Sequence, residues 1–270
     1  MKVVTFWYGG KLKNLNLLCL ASWLEQGYNV DLYHLDPIDN PPTGVTLKNA
    51  EEVLPRSLMA KLQPRVKADR MPWQPIVSYS DLFRIKMLAL GLGFWMDTDM
   101  LLFKPIPIDV KEPFYAWDGV SCIGASIFYI PRTNVILADY LKVLNEPNLM
   151  PHWLGFKRRV LKPLMFKLLG KQFSPVDLGI TIYGNDAFTR LVKKHHMTYA
   201  ALPQQSFYYW LGKDTLRFYD PEERVKLEEL HNVYGIHVHR KVPADTKPEV
   251  GCLYDRMLKK YSKRMPVLTW

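Results

Sequence analysis

Cysteine is scarce in this 270-residue chain: Cys19, Cys122 and Cys252 are the whole set. Three widely spaced thiols, an odd number, give neither a disulfide framework nor a zinc-ligand spacing, and a reducing compartment is the simple reading. No run of about 18 or more apolar residues occurs, so no membrane-spanning helix is expected. The first ten residues lack a basic stretch, an apolar stretch and a cleavage site. They read as a strand ending in Gly9-Gly10, not as a secretory signal. No low-complexity linker divides the chain, so one domain is expected over residues 1–270. Acidic residues are the minority, 26 against 36 Lys and Arg, which leaves a net charge of +10. Such a surplus suits phosphorylated small molecules, nucleic acid or an acidic membrane surface. No zinc finger, RNP-type aromatic motif or repeat is present, so nucleic acid is set aside.

What is there reads as an α/β chain. Lys2-Val-Val-Thr-Phe-Trp7 is a run of β-formers closed by Gly9-Gly10. Residues 15–26 place Leu17, Leu18, Ala21 and Leu24 at helical spacing, with Gly27 as the stop. Asn29-Val-Asp-Leu-Tyr-His34 is a second strand, which completes a strand–helix–strand unit. A Pro-rich turn follows, then a mixed stretch at 45–75 with a helix expected near 50–62. Residues 78–90 form a strong helix, broken by Gly91 and Gly93. Phe94-Trp-Met96 is a short buried strand, and Met100-Leu-Leu-Phe103 continues extended. Further strands are expected at 115–117, 125–130, 206–210 and 234–239, and further helices at 134–145 and from about Asp186 to His195.

Two local patterns carry chemistry. Asp97-Thr98-Asp99 follows an apolar strand and precedes an apolar run. Two carboxylates one residue apart in such a turn can reach one cation, and burying them without one is costly. Hard divalent ions take oxygen ligands and keep positions open for phosphate oxygens. Asp81 and Arg84, three apart on a helix, share a face. Aromatic residues make up 13% of the chain, with 8 Trp and 15 Tyr, enough for ring stacking as well as a bulky core.

The segment Tyr79-Ser-Asp-Leu-Phe-Arg84, then Gly93-Phe-Trp-Met-Asp97-Thr-Asp99, then Lys104-Pro105 resembles the DXD sugar-binding glycosyltransferases. That family holds Och-type α-mannosyltransferases, animal α1,4-galactosyl- and α1,4-N-acetylglucosaminyltransferases, and bacterial capsule and lipopolysaccharide enzymes. It is similar, more distantly, to the glucosyltransferase domains of large clostridial cytotoxins. The chain departs from the pattern at Leu92, where a glycine is usual, and at Trp95, where a tyrosine is. The resemblance extends to Phe6-Trp7-Tyr8-Gly-Gly10 and Ser22-Trp23, to Tyr183-Gly-Asn185-Asp186-Ala-Phe-Thr189, to Phe207-Tyr-Tyr-Trp210 and to Gly235-Ile-His237-Val-His239. Asn185 stands where proline is usual, and His239 where a tryptophan is.

The resemblance implies a GT-A type fold: a Rossmann-like mixed sheet flanked by helices, with peripheral helical elements. Its nucleotide-binding half would cover about 1–110 and its acceptor side about 111–270. It implies a retaining hexosyltransferase that uses a nucleotide-sugar donor, UDP-linked before GDP-linked, and a glycan or lipid-linked saccharide acceptor. It implies Mn²⁺ or Mg²⁺ held by Asp97, Asp99 and His237. Trp7 and Tyr8 would lie at the nucleotide, Asp81 and Arg84 at sugar hydroxyls, and Asp97 and Thr98 at the donor. Asp186, with Asn185, would be the carboxylate nearest the reacting sugar. From the residues alone, His237 and His239 share one face of a strand, and no nearby acid or thiol completes a zinc site. A non-catalytic nucleotide-sugar-binding protein of the same fold is the alternative; loss of the two aspartates would favour it, and both are present. Paired-aspartate nucleotidyltransferases or phosphatases need a P-loop or an acidic pair after the first strand, where this chain has Trp7-Tyr8-Gly9.

Residues 152–171 carry Lys157, Arg158, Arg159, Lys162, Lys167 and Lys171 and no acid, interleaved with Val160, Leu161, Leu164, Met165 and Leu168. Two readings stay open: a packed helix with solvated lysines, or a helix lying on an anionic membrane surface. The second fits a cytoplasmic enzyme at the inner face of a bacterial cell membrane.

Overall fold

The computed structural model describes residues 2–66, 72–243, 246–266 and 268. Its centre is a five-stranded sheet in the order β3–β2–β1–β4–β7. The strands are β1 (Lys2–Trp7), β2 (Asn29–His34), β3 (Val45–Asn49), β4 (Phe94–Met96) and β7 (Ile127–Phe128). β1, β2, β3 and β4 are parallel, and β7 joins β4 antiparallel. β1 is buried along its middle, as a parallel strand covered on both faces must be. Val3, Phe94 and Met96 face one core; Val4, Phe6 and Trp95 face the other. The period-two alternation of the strands therefore divides the interior into two layers.

Helix α1 (Asn14–Glu25) packs on the first layer together with α6 (Leu253–Tyr261). Almost all of α1 is buried, which explains why it is apolar on every side. Helix α2 (Gln74–Ala89) covers the second layer beside α3 (Val135–Leu141) and α5 (Asn185–Lys194). It starts four residues before the expected 78, with Pro75 in its first turn, where a missing N–H costs nothing. It ends in a Schellman motif: Leu92 N–H donates to Met87 O and Gly91 N–H to Leu88 O. Gly91 takes the left-handed conformation there (φ +71°) and residue 92 does not have a positive φ, so leucine at 92 is compatible with the turn. Gly93 is needed for another reason: a Cβ there would lie 2.4 Å from Lys2 O on the neighbouring β1.

Two small ladders flank the sheet. β5 (Met100–Leu102) pairs antiparallel with β9 (Gly235–His237), and β6 (Tyr115–Ala116) pairs parallel with β8 (Ala201–Leu202). The helix expected near 50–62 is instead two 3₁₀ segments, Ala50–Glu52 and Arg56–Leu62. Pro55 lies between them; it supplies no N–H and pushes Leu54 away from helical geometry. β3 lies in the stretch read as mixed, because as a half-exposed edge strand it has little apolar alternation. No strand forms at 206–210. Tyr208 N–H turns back to Gln204 O, and Phe207 O instead accepts from His237 N–H at the side of β9. Among the described residues no helix is long and apolar enough to cross a membrane.

Candidate active site

The chain leaves β1, builds β2 and β3 on one side, then returns to place β4 on the other side of β1. A crevice therefore opens beyond the carboxyl ends of β1 and β4, where strand order reverses. The cleft at that point has a volume of about 350 Å³ and is lined by Trp7 and Tyr8 from the end of β1, Trp95, Asp97, Thr98 and Asp99 from the end of β4, and Ser80 and Arg84 from α2. Tyr8 is half-exposed. The Trp7 indole N–H is buried with no hydrogen-bond partner among the described residues.

Asp97 N–H is held by Ser126 O (2.7 Å), and Met100 N–H returns to Asp97 O (2.9 Å), so the Asp97-Thr98-Asp99 turn is pinned at both ends. Asn16 at the start of α1 donates to the Thr98 carbonyl and hydroxyl. The turn passes from the central sheet to the β5–β9 ladder, in which Met100 is the register partner of His237. That pairing carries His237 to Asp99: Nε2 lies 3.3 Å from Oδ1. Among the described residues, Asp97, Asp99 and His237 form one group whose ligand atoms all lie within 4.8 Å of one another. His239 points elsewhere, toward the Thr215 hydroxyl at 3.3 Å.

Positive charge surrounds the carboxylates. Lys241 Nζ is 2.7 Å from Asp99 Oδ2. Arg84 Nη2 lies 3.5 Å from Asp97 and 3.3 Å from Asp81, with its guanidinium 4.7 Å from the Trp95 ring centre. Trp95 Nε1 donates to Asp97 Oδ1 at 2.7 Å. Burial works against the Asp99 charge, but His237 and Lys241 overcome it and hold its carboxyl well below the usual range. Burial dominates at Asp97 and raises it despite Arg84. His237 is penalised by burial, yet Asp99 raises its value. Asp81 is pushed up to about 7 by burial, partly offset by Arg84.

Two oxygens and one imidazole nitrogen suit Mn²⁺, and less well Mg²⁺, which prefers oxygen alone. Lys241 and His237 offset the charge of the half-buried Asp99, whereas Arg84 offsets that of the half-buried Asp97 only in part. The donor set fits a divalent ion.

Asp81 is buried and is not among the residues lining the cleft; a Cβ on Gly184 would lie 2.8 Å from its carboxylate oxygens. Gly184 immediately precedes α5, so the start of α5 abuts the Asp81–Arg84 pair. Ala125 ties them further, since its N–H donates to Asn185 Oδ1 and its carbonyl accepts from Arg84. Asp186 opens onto a neighbouring depression with Ser121, Cys122, Thr181, Asn185 and Thr189. There it is ion-paired with Arg158 (2.5 Å) and Arg190 (2.6 Å). The structure thus brings Trp7, Tyr8, Arg84, Asp97, Thr98 and Asp99 into one cleft, with His237 against Asp99. It sets Asp81 beneath Arg84, and Asn185 and Asp186 in the adjoining depression. Lys241, Ser126 and Asn16 escape a sequence reading because nothing local marks them. Arg158, which the sequence groups with the basic amphipathic stretch, faces Asp186.

No protein-family model matches the chain, and no curated protein does. Among solved structures it is similar to the PaToxG glycosyltransferase, at 13% identity, over 72% of this chain and 69% of that one, with a TM-score of 0.43.

Proposed function

We propose that the chain is a single-domain glycosyltransferase of the GT-A type that moves a hexose from a nucleotide-sugar donor, a UDP-sugar before a GDP-sugar, to a glycan or lipid-linked saccharide with retention of configuration. One observation carries the reading: aromatic residues at the end of β1 and an Asp–Asp–His group after β4 meet in the cleft where strand order reverses.

In this reading Asp97, Asp99 and His237 would hold Mn²⁺ or Mg²⁺, which neutralises the charge that grows on a departing diphosphate. Trp7 and Tyr8 offer ring faces to the base, and the Trp7 N–H, without a partner among the described residues, offers a donor. Arg84 is the member of the Asp81–Arg84 pair that reaches the cleft and the donor sugar. Asp81 supports it from below, with Trp95 stacked on the guanidinium. Thr98 is held by Asn16 at the donor side. Asp186 and Asn185 serve the acceptor side of the reacting sugar. Two arginines already neutralise Asp186, which suits positioning better than nucleophilic attack. Retention then needs no covalent intermediate: the acceptor hydroxyl enters on the face from which the diphosphate leaves, and its proton passes to the departing diphosphate oxygen as the sugar–phosphate bond breaks.

The test is incubation with UDP- and GDP-sugars and Mn²⁺, with released nucleotide as the readout. Turnover is expected with one donor, and Asp99→Ala and EDTA should each abolish it. Turnover that survives both would overturn the metal assignment. Tight donor binding without turnover on any acceptor or water would favour the alternative, a nucleotide-sugar-binding protein.

A further inference from the structure

Along residues 156–169 apolar side chains lie in the open. Phe156 is 69% exposed, Leu168 79% and Leu169 61%, and Val160, Leu161, Leu164 and Met165 are each exposed as well. No residue of the segment is buried. Isolated exposed apolar side chains are ordinary; seven within fourteen residues on one helical stretch are not.

The backbone explains why they form one face. Residues Lys157–Leu161 make a π turn, with Lys162 N–H donating to Lys157 O, and α4 (Lys162–Leu168) continues from it. A π turn rotates the chain less per residue than an α turn. The wide turn holds Phe156, Val160 and Leu161 in phase with Leu164, Met165 and Leu168. It also absorbs Pro163, which falls in the first turn of α4, where its missing N–H is tolerated. The opposite side is the anchored one. Arg158 pairs with Asp186 and donates to Leu178 O, and Phe166 stacks on Phe173 with centroids 5.6 Å apart. Gly170 closes α4 in a left-handed turn (φ +65°). The segment is thus a built element fixed to the body from below, with its apolar side outward.

The charges identify the partner. With Arg158 committed to Asp186, Lys157, Arg159, Lys162, Lys167 and Lys171 remain around the apolar face, with no acid between residues 152 and 171. A second copy of this chain would bring the same cations against themselves. An apolar stripe bordered by Lys and Arg is what an interfacial helix offers to acyl chains and anionic headgroups. We propose that residues 156–169 dock this protein on an anionic lipid bilayer. Because Arg158 ties the segment to Asp186 from the side away from the apolar face, docking would hold the Asp186 depression about one helix diameter, roughly 10 Å, from the lipid surface. The docking itself stands independently of sugar transfer.

The experiment is co-sedimentation of the full chain with vesicles of phosphatidylcholine and phosphatidylglycerol in equal parts, at low and high salt, with pure phosphatidylcholine as control. Wild type should pellet with the anionic vesicles, release as salt rises, and stay free of the neutral ones. Each basic side chain near such a surface is worth roughly fivefold in partitioning. Arg159→Glu with Lys167→Glu should therefore lower binding by at least about an order of magnitude. Leu164→Asp with Leu168→Asp should remove it while leaving thermal unfolding unchanged, since both side chains are exposed. Wild type that stays in solution at low salt overturns the proposal. So does binding that the two leucine changes leave intact, which would show that the net charge alone is responsible. A concentration-dependent dimer lost in the leucine variant, with no vesicle binding, would make the face a contact between copies and equally overturn it.

Discussion

At the scale of single residues, the candidate metal group is a competition for charge. Asp99 carries His237 on one oxygen and Lys241 on the other. A divalent ion must share Asp99 with Lys241 or displace it. The Lys241 side chain is 42% exposed, so solvent screens the pair and it is worth about 1 kcal/mol at most. Lys241→Met should therefore tighten Mn²⁺ binding by roughly threefold to fivefold, measured by calorimetric titration of the protein without donor. Unchanged or weaker binding would show that Lys241 does not oppose the ion. The two aspartates of the turn are legible in the sequence because a D-x-D between two apolar runs is a local pattern. Lys241 is not, since it reaches Asp99 across 142 positions.

At the scale of elements, Asp139 joins pieces that share no sheet. It is 3% exposed and holds Lys142 and His152 on one oxygen and Lys194 and His195 on the other. It thereby ties α3 to the chain that follows it and to the end of α5. Burial alone would raise its carboxyl, but hydrogen bonds from Lys194, Lys142 and His195 bring it well below the usual range. For an acid whose folded value is lowered, the stabilisation is present above the unfolded value, about 3.9, and is lost as pH falls toward the folded one. Asp139→Asn should cost about 2–3 kcal/mol near neutral pH, by loss of charge-assisted hydrogen bonds. The gap to wild type should narrow below about pH 4. Urea unfolding of both proteins across that range is the measurement; a gap that does not change with pH would remove Asp139's charge from the account. Elements with a strong period, such as β1, α1 and β2, were legible to within a residue or two. The 206–210 stretch was not, because aromatic composition favours a strand while the Tyr208-to-Gln204 hydrogen bond makes a turn.

At the scale of the whole molecule, the Asp–Asp–His group links the turn after β4 to β9, two parts of the chain that are distant in sequence. An ion bound there would stabilise the folded state by mass action, about 2.7 kcal/mol at a hundredfold excess over its dissociation constant. For a chain of this size that corresponds to a rise of roughly 5–10 °C in Tm. Thermal unfolding with and without Mn²⁺ should show the rise in wild type and little of it in His237→Ala; an equal rise in both would place the ion elsewhere. By itself the sequence determined the strand–helix–strand opening, the acidic turn and the basic apolar stretch. Each is written in residues within a few positions of one another, where periodicity and turn chemistry act. Tertiary structure alone decided that His237 faces Asp99, through the β5–β9 register, while His239 turns to Thr215. It alone decided that Arg158 leaves its basic neighbours for Asp186, and that Asp81 sits under Arg84 against Gly184. Those choices depend on which distant surfaces pack together, and packing free energy is summed over contacts that no local window contains.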